Sequence, residues 1–356
     1  MANWVKRLSA TTDAINRAFD RVKGRINKTL GIEEPVHILP YRGYGSPDCV
    51  LVKGRVLQDE GIKLREEDTP LWKNLWNMYL RFETDEIPHA KLRLQLGDLE
   101  QEATCNSEGF FSEELSPPTP LKEFWQPVTV TLLEPELEQT VSADAEAMVV
   151  SGARFAVVSD IDDTIVHTAA TDMLKMIRIA YLGNAKSRRP FEGVPEFYQA
   201  LQQGTGGAPN PIFYASSSAW NMYDLFTKFM DFNGIPKGPI LLRDIELSLA
   251  NWFSFDHESH KMENILPLLD RYPDLPFLLI GDSGQRDAEI YSAIAEEHRG
   301  RVLGILIRDV TPNQASRQQE LQAIANQVEA CGSRMFLFRH TQEAANYAAE
   351  QGWVTR

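Results

Sequence analysis

From about Phe155 onward, short apolar runs alternate with amphipathic helical stretches, a pattern that few fold classes accommodate. The runs are rich in β-branched residues, and the stretches between them repeat apolar residues every three or four positions. This alternation indicates a mostly parallel sheet with helices on both faces. The predicted strands are residues 157–159, 212–215, 240–242, 277–280, 302–307 and 335–338. The predicted helices are 171–181, 196–203, 219–229, 287–296, 318–329 and 341–350, with a further one opening at Lys261.

A pair of aspartates, Asp160 and Asp162, follows the first apolar run in the sequence Ser159-Asp160-Ile161-Asp162-Asp163-Thr164. A strand that ends at Ser159 places Asp160 at the carboxyl edge of the sheet, where open α/β sheets bind ligands. Two carboxylates so close need a shared proton or a divalent cation. Mg²⁺ suits best, because it prefers oxygen ligands and is commonly completed by a substrate phosphate. A solvated acidic turn is the simple alternative. An EF-hand calcium loop does not fit, since its sixth position is Ile165 instead of glycine.

Two further residues occupy comparable positions. Ser216 ends the second apolar run, and its hydroxyl can donate a hydrogen bond to a phosphate oxygen and orient the group for in-line attack. The alternative is that the serines here only cap the following helix. Lys261, at the start of a helix, can supply a compact positive charge to the same site. Taken alone, it is more typical of a surface lysine.

The fourth apolar run ends in Gly281-Asp282 and delivers another acid to the same sheet edge. Asp287, five residues later, can reach back toward metal-bound water, although a helix-capping role also explains it. The glycines at 281 and 284 let the backbone approach closely. Every member of the ordered set Asp-x-Asp, Ser, Lys and Gly-Asp follows a strand or opens a helix, so the set predicts a phosphoryl-transfer site.

The ordered motifs resemble those of the haloacid dehalogenase superfamily of aspartate-nucleophile phosphohydrolases. Three strings are similar to its actin-patch-associated phosphatidate phosphatase family: Ser159-Asp160-Ile161-Asp162-Asp163-Thr164, Ser216-Ser217-Ser218-Ala219-Trp220-Asn221 and Gly281-Asp282-Ser283-Gly284-Gln285-Arg286-Asp287. Two more strings are similar to the bacterial branch of that family: Tyr41-Arg42-Gly43-Tyr44-Gly45 and Val52-Lys53-Gly54-Arg55-Val56. The chain departs from the family pattern at Ala219, where a proline is expected between serine and tryptophan.

The resemblance implies a division of labour among four side chains. Asp160 would be the nucleophile and form an aspartyl-phosphate. Asp162 would protonate the leaving alkoxide and then activate water. Ser216 and Lys261 would hold the phosphoryl oxygens.

The resemblance also implies a metal site and a fold. Mg²⁺ would be bound by Asp160, Asp282 and Asp162, the last through its backbone carbonyl, with Thr164 and Asp287 as secondary residues. The implied fold class is α/β, a Rossmann-like haloacid dehalogenase-type parallel sheet without a large cap, preceded by an amphipathic helix and a β-sandwich-like domain. The motif spacing leaves no room for a separate cap domain, and an open site suits a bulky substrate such as a lipid interface or a protein.

Three domains follow from these patterns: a basic amphipathic helix at 1–32, a β-rich accessory domain at 33–150 and a catalytic domain at 151–356. The accessory domain has the short alternating runs of a β-sandwich. Its predicted strands are residues 50–57, 91–96 and 128–133, with a turn into another at 106–111 and a helix at 71–82. Arg42, Tyr44 and Gly45 form a candidate contact surface, although a tight turn explains them more simply.

Before residue 31, seven basic side chains accompany only two acidic ones, and apolar residues recur at helical spacing. A basic amphipathic helix of this kind can lie on an anionic membrane surface. The alternative is that its apolar stripe packs on the protein itself or pairs with a second copy. Arg188 and Arg189 are further candidate contacts to an anion.

Composition excludes several classes of protein. A net charge of −14 argues against nucleic acid as the general partner. No run of eighteen apolar residues predicts a spanning helix, and the first residues lack the pattern of a signal peptide. Three widely spaced cysteines fit a reducing compartment, without a disulfide framework or zinc site. The predicted location is the cytoplasm, with peripheral membrane association through residues 1–30 as the option that the basic helix allows.

The sequence therefore predicts a Mg²⁺-dependent phosphomonoesterase that resembles phosphatidate phosphatase and converts phosphatidate to diacylglycerol and phosphate. The residues alone indicate phosphoryl transfer, and the lipid substrate is what the resemblance implies. The alternative enzyme is a phosphatase of a phosphoprotein or of a soluble phosphate ester. The alternative outside enzymes is a membrane or protein adaptor that keeps the acidic site as a relic, against which the complete motif set argues.

Overall fold

The computed structural model describes four stretches of the chain, residues 36–58, 86–166, 190–243 and 257–355. They contain thirteen β-strands in two sheets and six α-helices. None of the helices in these stretches combines the length and the hydropathy needed to cross a membrane. Some predictions lie outside the described residues: the helices at 1–32, 71–82 and 171–181, and Arg188 and Arg189.

The first seven strands form one mixed sheet. They are β1 Val36–Ser46, β2 Cys49–Gln58, β3 Lys91–Leu96, β4 Leu99–Thr104, β5 Phe110–Leu115, β6 Trp125–Glu134 and β7 Ser142–Val149. Their order is β4-β3-β6-β7-β1-β2-β5, and every neighbouring pair is antiparallel except β1 with β7. The sheet curls until its two edge strands approach each other, and the Gln101 amide of β4 donates to the Glu113 carboxylate of β5 at 3.4 Å. The alternate side chains of these strands fill the interior of the curl, as Leu92, Leu94 and Leu96 do from β3.

The other six strands form a second sheet in which every neighbouring pair is parallel. They are β8 Ala156–Asp160, β9 Ile212–Ala219, β10 Ile240–Arg243, β11 Phe277–Asp282, β12 Val302–Arg308 and β13 Met335–Phe338, in the order β10-β9-β8-β11-β12-β13. The helices are α1 Val194–Gln203, α2 Tyr223–Phe232, α3 His257–Arg271, α4 Asp287–Glu297, α5 Ala315–Ala330 and α6 Thr341–Glu350. The central strands β8 and β11 are buried along their whole length, because their side chains enter two separate cores, one on each face.

The predicted fold class is wrong for this chain. It made a Rossmann-like, haloacid dehalogenase-type parallel sheet the body of the protein and placed a β-sandwich-like domain in front of it. Instead, the largest sheet is the mixed, nearly closed sheet of seven strands, and more of the described residues lie in strands than in helices. The alternation in the sequence tells which side chains are buried, but it does not tell which strand edges pair. Here the strands join edge to edge around one interior, so no second layer is needed to cover it.

The individual elements match the sequence patterns more closely than the fold class does. Each of the six apolar runs predicted after Phe155 is a strand. The helix predicted at 219–229 begins later, since β9 continues to Ala219 and a 3-10 turn at Trp220–Met222 precedes α2. The helix predicted to open at Lys261 begins four residues earlier, at His257.

The two sheets contact each other through a bulge in β1 between Tyr41 and Tyr44. The backbone N–H of Arg42 donates to the Tyr223 hydroxyl at 2.6 Å, and the Arg42 guanidinium forms an ion pair with Asp231 at 3.0 Å. The Tyr272 hydroxyl donates to the carbonyl oxygen of Gly45 at 3.3 Å. The contact surface predicted at Arg42, Tyr44 and Gly45 is therefore present, and its partner is the parallel-sheet part of the same chain.

Candidate active site

The predicted site residues meet at one edge of the parallel sheet. Asp160 is the last residue of β8, and Asp282 is the last residue of the neighbouring strand β11. Ser216 lies on the other neighbour, β9, directly after Ala215, which pairs with Asp160. Because the strands are parallel and in register, their carboxyl ends bring these three side chains together.

Lys261 forms ion pairs with two of the acids. Its Nζ lies 2.7 Å from Oδ1 of Asp160 and also pairs with Oδ1 of Asp287. All three side chains are buried, and Lys261 is only 2% exposed. Burial acts to lower the pKa of Lys261, but the two carboxylates outweigh it and the net pKa is raised. The lysine is therefore a protonated member of the acidic cluster and not the surface lysine that its sequence context also allowed.

Asp287 opens α4 and packs directly on the backbone of β11. Its Oδ2 accepts a hydrogen bond from the Asp282 N–H at 3.1 Å. A β-carbon built on Gly281 would lie 2.6 Å from the β-carbon of Asp287, so only glycine fits beneath this carboxylate. The close backbone approach expected at Gly281 is therefore confirmed, and Asp287 is more central than its secondary rank in the sequence prediction.

One oxygen of each acid at the strand ends is left over. Asp282 uses Oδ1 to accept hydrogen bonds from the N–H groups of Gly284 and Gln285, at 2.7 Å and 2.9 Å. Among the described residues, the buried Oδ2 atoms of Asp160 and Asp282 have no hydrogen-bond partner. Burial raises the pKa of Asp160 well above its ordinary range, and burial followed by the charge of Asp287 raises that of Asp282 to about 7. Both carboxylates are thus poised to take up a proton or a cation.

Carboxylate oxygens of three acids are close enough to share a cation. One carboxylate oxygen from each of Asp160, Asp282 and Asp287 lies within 4.8 Å of the others. Three buried carboxylates exceed the single positive charge of Lys261, and hard oxygen ligands are those that Mg²⁺ prefers. The residues present therefore fit a divalent metal. The carboxylates that the structure groups include Asp287, which the sequence-based prediction gave as a secondary residue. The predicted ligand from Asp162 is its backbone carbonyl and stays a prediction.

Asp162 is not one of the three grouped carboxylates, and its position is half-buried. The Ser216 hydroxyl donates to its Oδ2 at 2.8 Å, which links the first and second motifs directly. The turn that carries Asp162 continues through Asp163, whose φ of 52° is left-handed and is tolerated better by aspartate than by most residues. The two aspartates of the D-x-D motif thus occupy different environments, since Asp160 is buried and Asp162 is half-buried.

Thr164 directly follows Asp163 in this turn and is buried. Its backbone carbonyl accepts a hydrogen bond from Arg308 Nε at 3.0 Å. The Arg308 guanidinium also donates to the Thr341 hydroxyl at 3.1 Å and stacks 4.0 Å from the centroid of the Phe191 ring. Burial lowers the pKa of Arg308 to about 10. The sequence analysis did not identify Arg308. A signal was present, because Arg308 ends the apolar run of β12 just as Asp160 and Asp282 end theirs.

A second arginine that the sequence did not single out, Arg317 of α5, contacts the turn after Asp282. Its Nε donates to the Ser283 carbonyl and its Nη2 to the Gln285 carbonyl, both at 2.9 Å. No local pattern marks Arg317, since it lies on a helix whose apolar periodicity is weak and most of whose residues are exposed or half-buried.

Residues 155–309 match the family described as the catalytic domain of phosphatidate phosphatase APP1. The matched segment holds every predicted site residue: Asp160, Asp162, Thr164, Ser216, Lys261, Asp282 and Asp287. The predicted resemblance to the actin-patch-associated phosphatidate phosphatase family is therefore confirmed.

Two fungal relatives agree with this match. The phosphatidate phosphatase APP1 of Saccharomyces cerevisiae is 29% identical over 189 residues, which are 53% of this chain and 31% of the yeast protein. The uncharacterized protein C29B5.04c of Schizosaccharomyces pombe is 27% identical over 209 residues, 58% of this chain and 34% of that protein. The chain thus spans about a third of the length of these relatives.

A carbohydrate acetylesterase from Xanthomonas citri is a structural neighbour. It superposes over 87% of this chain and 72% of its own, with a TM-score of 0.36 and 10% identity. A likeness this small carries no functional information.

Proposed function

From the match of residues 155–309 to the phosphatidate phosphatase catalytic domain, we propose that the chain is a Mg²⁺-dependent phosphomonoesterase that hydrolyses phosphatidate to diacylglycerol and phosphate. One observation carries the proposal. Within the matched segment, Lys261 joins Asp160 and Asp287 in a buried cluster beside Asp282, and the cluster contains carboxylate oxygens without partners. A protein with only a structural use for these residues would not keep such oxygens buried.

Asp160 suits the role of nucleophile. Lys261 holds its Oδ1, which leaves Oδ2 to attack the phosphorus of the substrate. Attack forms an Oδ2–P bond and breaks the bond from phosphorus to the glycerol oxygen, giving an aspartyl-phosphate and an alkoxide. The positive charge of Lys261 lies beside the reacting oxygen and offsets the charge of the phosphoryl group.

Asp162 suits the role of acid and base because it is half-buried and close to the nucleophile in sequence. It gives its proton to the leaving alkoxide, which departs as the alcohol of diacylglycerol. The resulting carboxylate then removes a proton from water, whose oxygen attacks phosphorus and releases phosphate from Asp160. Ser216, which donates to Asp162, lies where its hydroxyl can also hold a phosphoryl oxygen.

The residues that would hold the metal are Asp160, Asp282 and Asp287, with the backbone carbonyl of Asp162 as a further candidate. When bound, Mg²⁺ supplies positive charge that neutralises the phosphoryl oxygens and keeps the nearby carboxylates ionised. The single lysine leaves the acidic cluster with a negative balance, which a dianionic phosphate would otherwise increase.

A substrate panel tests the proposal. The full chain would be assayed for phosphate release from phosphatidate in anionic vesicles, a phosphoserine peptide and a soluble aryl phosphate, with Mg²⁺ or with a chelator. Vesicles are included because residues 1–30 carry a basic amphipathic pattern. The matched control is Asp160→Asn, which is nearly isosteric but lacks the nucleophile.

We expect Mg²⁺-dependent turnover of phosphatidate that falls by about 10³-fold or more in the control. Turnover of the peptide or the aryl phosphate alone would assign the alternative substrates. Equal phosphate release by the native chain and by a folded Asp160→Asn variant would overturn the proposed chemistry.

A further inference from the structure

Arg317 lies in the first turn of α5, eight residues beyond the segment that matches the catalytic-domain family. Its guanidinium reaches the turn that follows β11 and donates to two backbone carbonyls, those of Ser283 and Gln285, at 2.9 Å each. The side chain is 13% exposed, so these bonds form in a largely desolvated place, where charge-assisted hydrogen bonds are strong. Arg317 therefore binds the turn whose N–H groups orient the Asp282 carboxylate.

Arg317 and Asp282 hold opposite sides of the same peptide group. The carbonyl of the Ser283–Gly284 peptide accepts from Arg317, and the N–H of that peptide donates to Asp282 Oδ1 at 2.7 Å. A cationic donor on a carbonyl polarises the peptide and strengthens the hydrogen bond that its N–H donates. Arg317 thus acts on Asp282 through one peptide plane.

This coupling decides which oxygen of Asp282 remains available. Oδ1 is occupied by the N–H groups of Gly284 and Gln285, so Oδ2 is the buried oxygen that has no partner among the described residues. If the turn relaxed, either oxygen could rotate toward the acidic cluster, and the ligand position would be lost. The turn must therefore stay rigid for the cluster to present a fixed oxygen to a cation.

Glu289 of α4 fixes Arg317 in turn. Its two carboxylate oxygens accept from Nη1 and Nη2, the latter at 3.1 Å, in a bidentate pair. Asp287 lies on the same helix, so this pair ties α5 to the helix that supplies another acid of the cluster. A lysine carries its three donors on one nitrogen and lacks the planar fork with which Arg317 reaches two carbonyls and both oxygens of Glu289.

We propose that Arg317 is a positioning residue for the divalent-cation site, which it serves by fixing the turn from Asp282 to Gln285. The inference rests on the proposed function, since it assumes that Asp160, Asp282 and Asp287 hold the metal. Arg317 touches none of the reacting atoms and acts only through the peptide that it binds.

The test measures Mg²⁺ binding without substrate. The unfolding temperature of the full chain would be followed against Mg²⁺ concentration for the native protein and for Arg317→Lys, Arg317→Gln and Glu289→Gln. Glu320→Gln is the matched control, because Glu320 pairs with Arg317 at 3.2 Å from an exposed position and does not touch the turn. Activity against Mg²⁺ concentration provides a second curve.

We expect the Mg²⁺ midpoint to rise by about 10- to 100-fold in both Arg317 variants, with excess Mg²⁺ restoring much of the turnover. Glu289→Gln should raise the Mg²⁺ midpoint by a smaller factor. If the Arg317 variants do not fold, the result for Glu289→Gln decides the test. Glu320→Gln should stay within about twofold of the native value. Folded variants at Arg317 and Glu289 with the native Mg²⁺ midpoint would overturn this inference alone. A native protein whose unfolding does not respond to Mg²⁺ would overturn the metal assignment of the proposed function together with it.

Discussion

The ring of Tyr41, in the mixed sheet, stacks on the indole of Trp220, in the parallel-sheet part of the chain, with centroids 4.2 Å apart and planes 21° from parallel. Trp220 follows Ser216 by four residues, in the stretch that leads from β9 into α2. The mixed sheet therefore touches the segment that carries a candidate catalytic residue. This contact gives the mixed sheet a physical route by which it could position that segment.

The first prediction tests this contact with Tyr41→Leu. We expect a loss of about 1–2 kcal/mol in the free energy of unfolding. We also expect a fall in kcat/KM, because Trp220 loses the ring that packs on it and the segment from Ser216 to Trp220 is held less firmly. The matched control is Tyr347→Leu, which removes a stack of the same 4.2 Å spacing, on Phe336, at the far edge strand β13. Comparable stability losses with a kinetic effect only at Tyr41 are the expected result in denaturation and steady-state assays. Equal kinetic effects in both variants would mean that lost stability alone explains the change.

The second prediction concerns Lys261→Met. This change leaves the buried carboxylates of Asp160 and Asp287 without their cation, so we expect a loss of about 3–5 kcal/mol in metal-free protein at pH 8. The loss should shrink at pH 5, because carboxyls freed from the lysine bind protons more readily. Urea denaturation at both pH values measures it. The double variant Lys261→Met/Asp287→Asn should recover part of the stability, and no recovery would contradict the pairing.

The third prediction follows from Asp282, whose pKa burial and then the charge of Asp287 raise from an ordinary 3.8 to about 7. The folded metal-free protein then binds this proton more tightly than the unfolded chain does. The stability that the protonated carboxyl contributes is present below about pH 4 and is lost as the pH rises toward 7. Asp282→Asn cannot titrate, so its stability relative to the native protein should increase through that window, by up to about 4 kcal/mol. A difference that is constant with pH would contradict the raised pKa, and saturating Mg²⁺ should remove the trend from the native protein.

The fourth prediction is that Gly281→Ala disrupts the acidic cluster. The added carbon would lie 2.6 Å from the β-carbon of Asp287, so the carboxylate must move away from Lys261 and from the Asp282 N–H. We expect a loss of about 1–3 kcal/mol in stability and weaker Mg²⁺ binding, both measured by thermal unfolding with and without Mg²⁺. Replacing Asp287 by glycine removes the clash. Gly281→Ala should therefore cost clearly less stability in an Asp287→Gly background, and equal costs would contradict the steric explanation.

The sequence indicated which side chains meet at the sheet edge, whereas the fold class predicted from it was wrong. Asp160, Ser216 and Asp282 were identifiable because each ends or follows an apolar run, and parallel strands bring such positions to one edge. The fold class failed because periodicity reports burial and not strand pairing, so a nearly closed sheet and a sandwich look alike in the sequence.

Two arginines that contact the site were not predicted, for a different reason. Arg308 and Arg317, which the sequence analysis did not single out, act through long side chains that cross from one element to another. Such contacts depend on where helices pack on the sheet. Local spacing gives no access to that information, and a positive residue on a helix looks the same in the sequence whether it faces water or the turn after Asp282.

The close approach of the edge strands β4 and β5 affects how readily the mixed sheet can pair with a strand of another molecule. A sheet normally exposes two edge strands whose free N–H and C=O groups can pair with a strand from another molecule. Here those edges approach each other, with a hydrogen bond from Gln101 to Glu113, and β4 carries Glu100 and Glu102 at exposed positions. An incoming strand would meet an occupied seam and like charges. Among the described residues, the curvature of the seven-stranded sheet therefore reduces the exposure of its own two edges to pairing with a strand of another molecule.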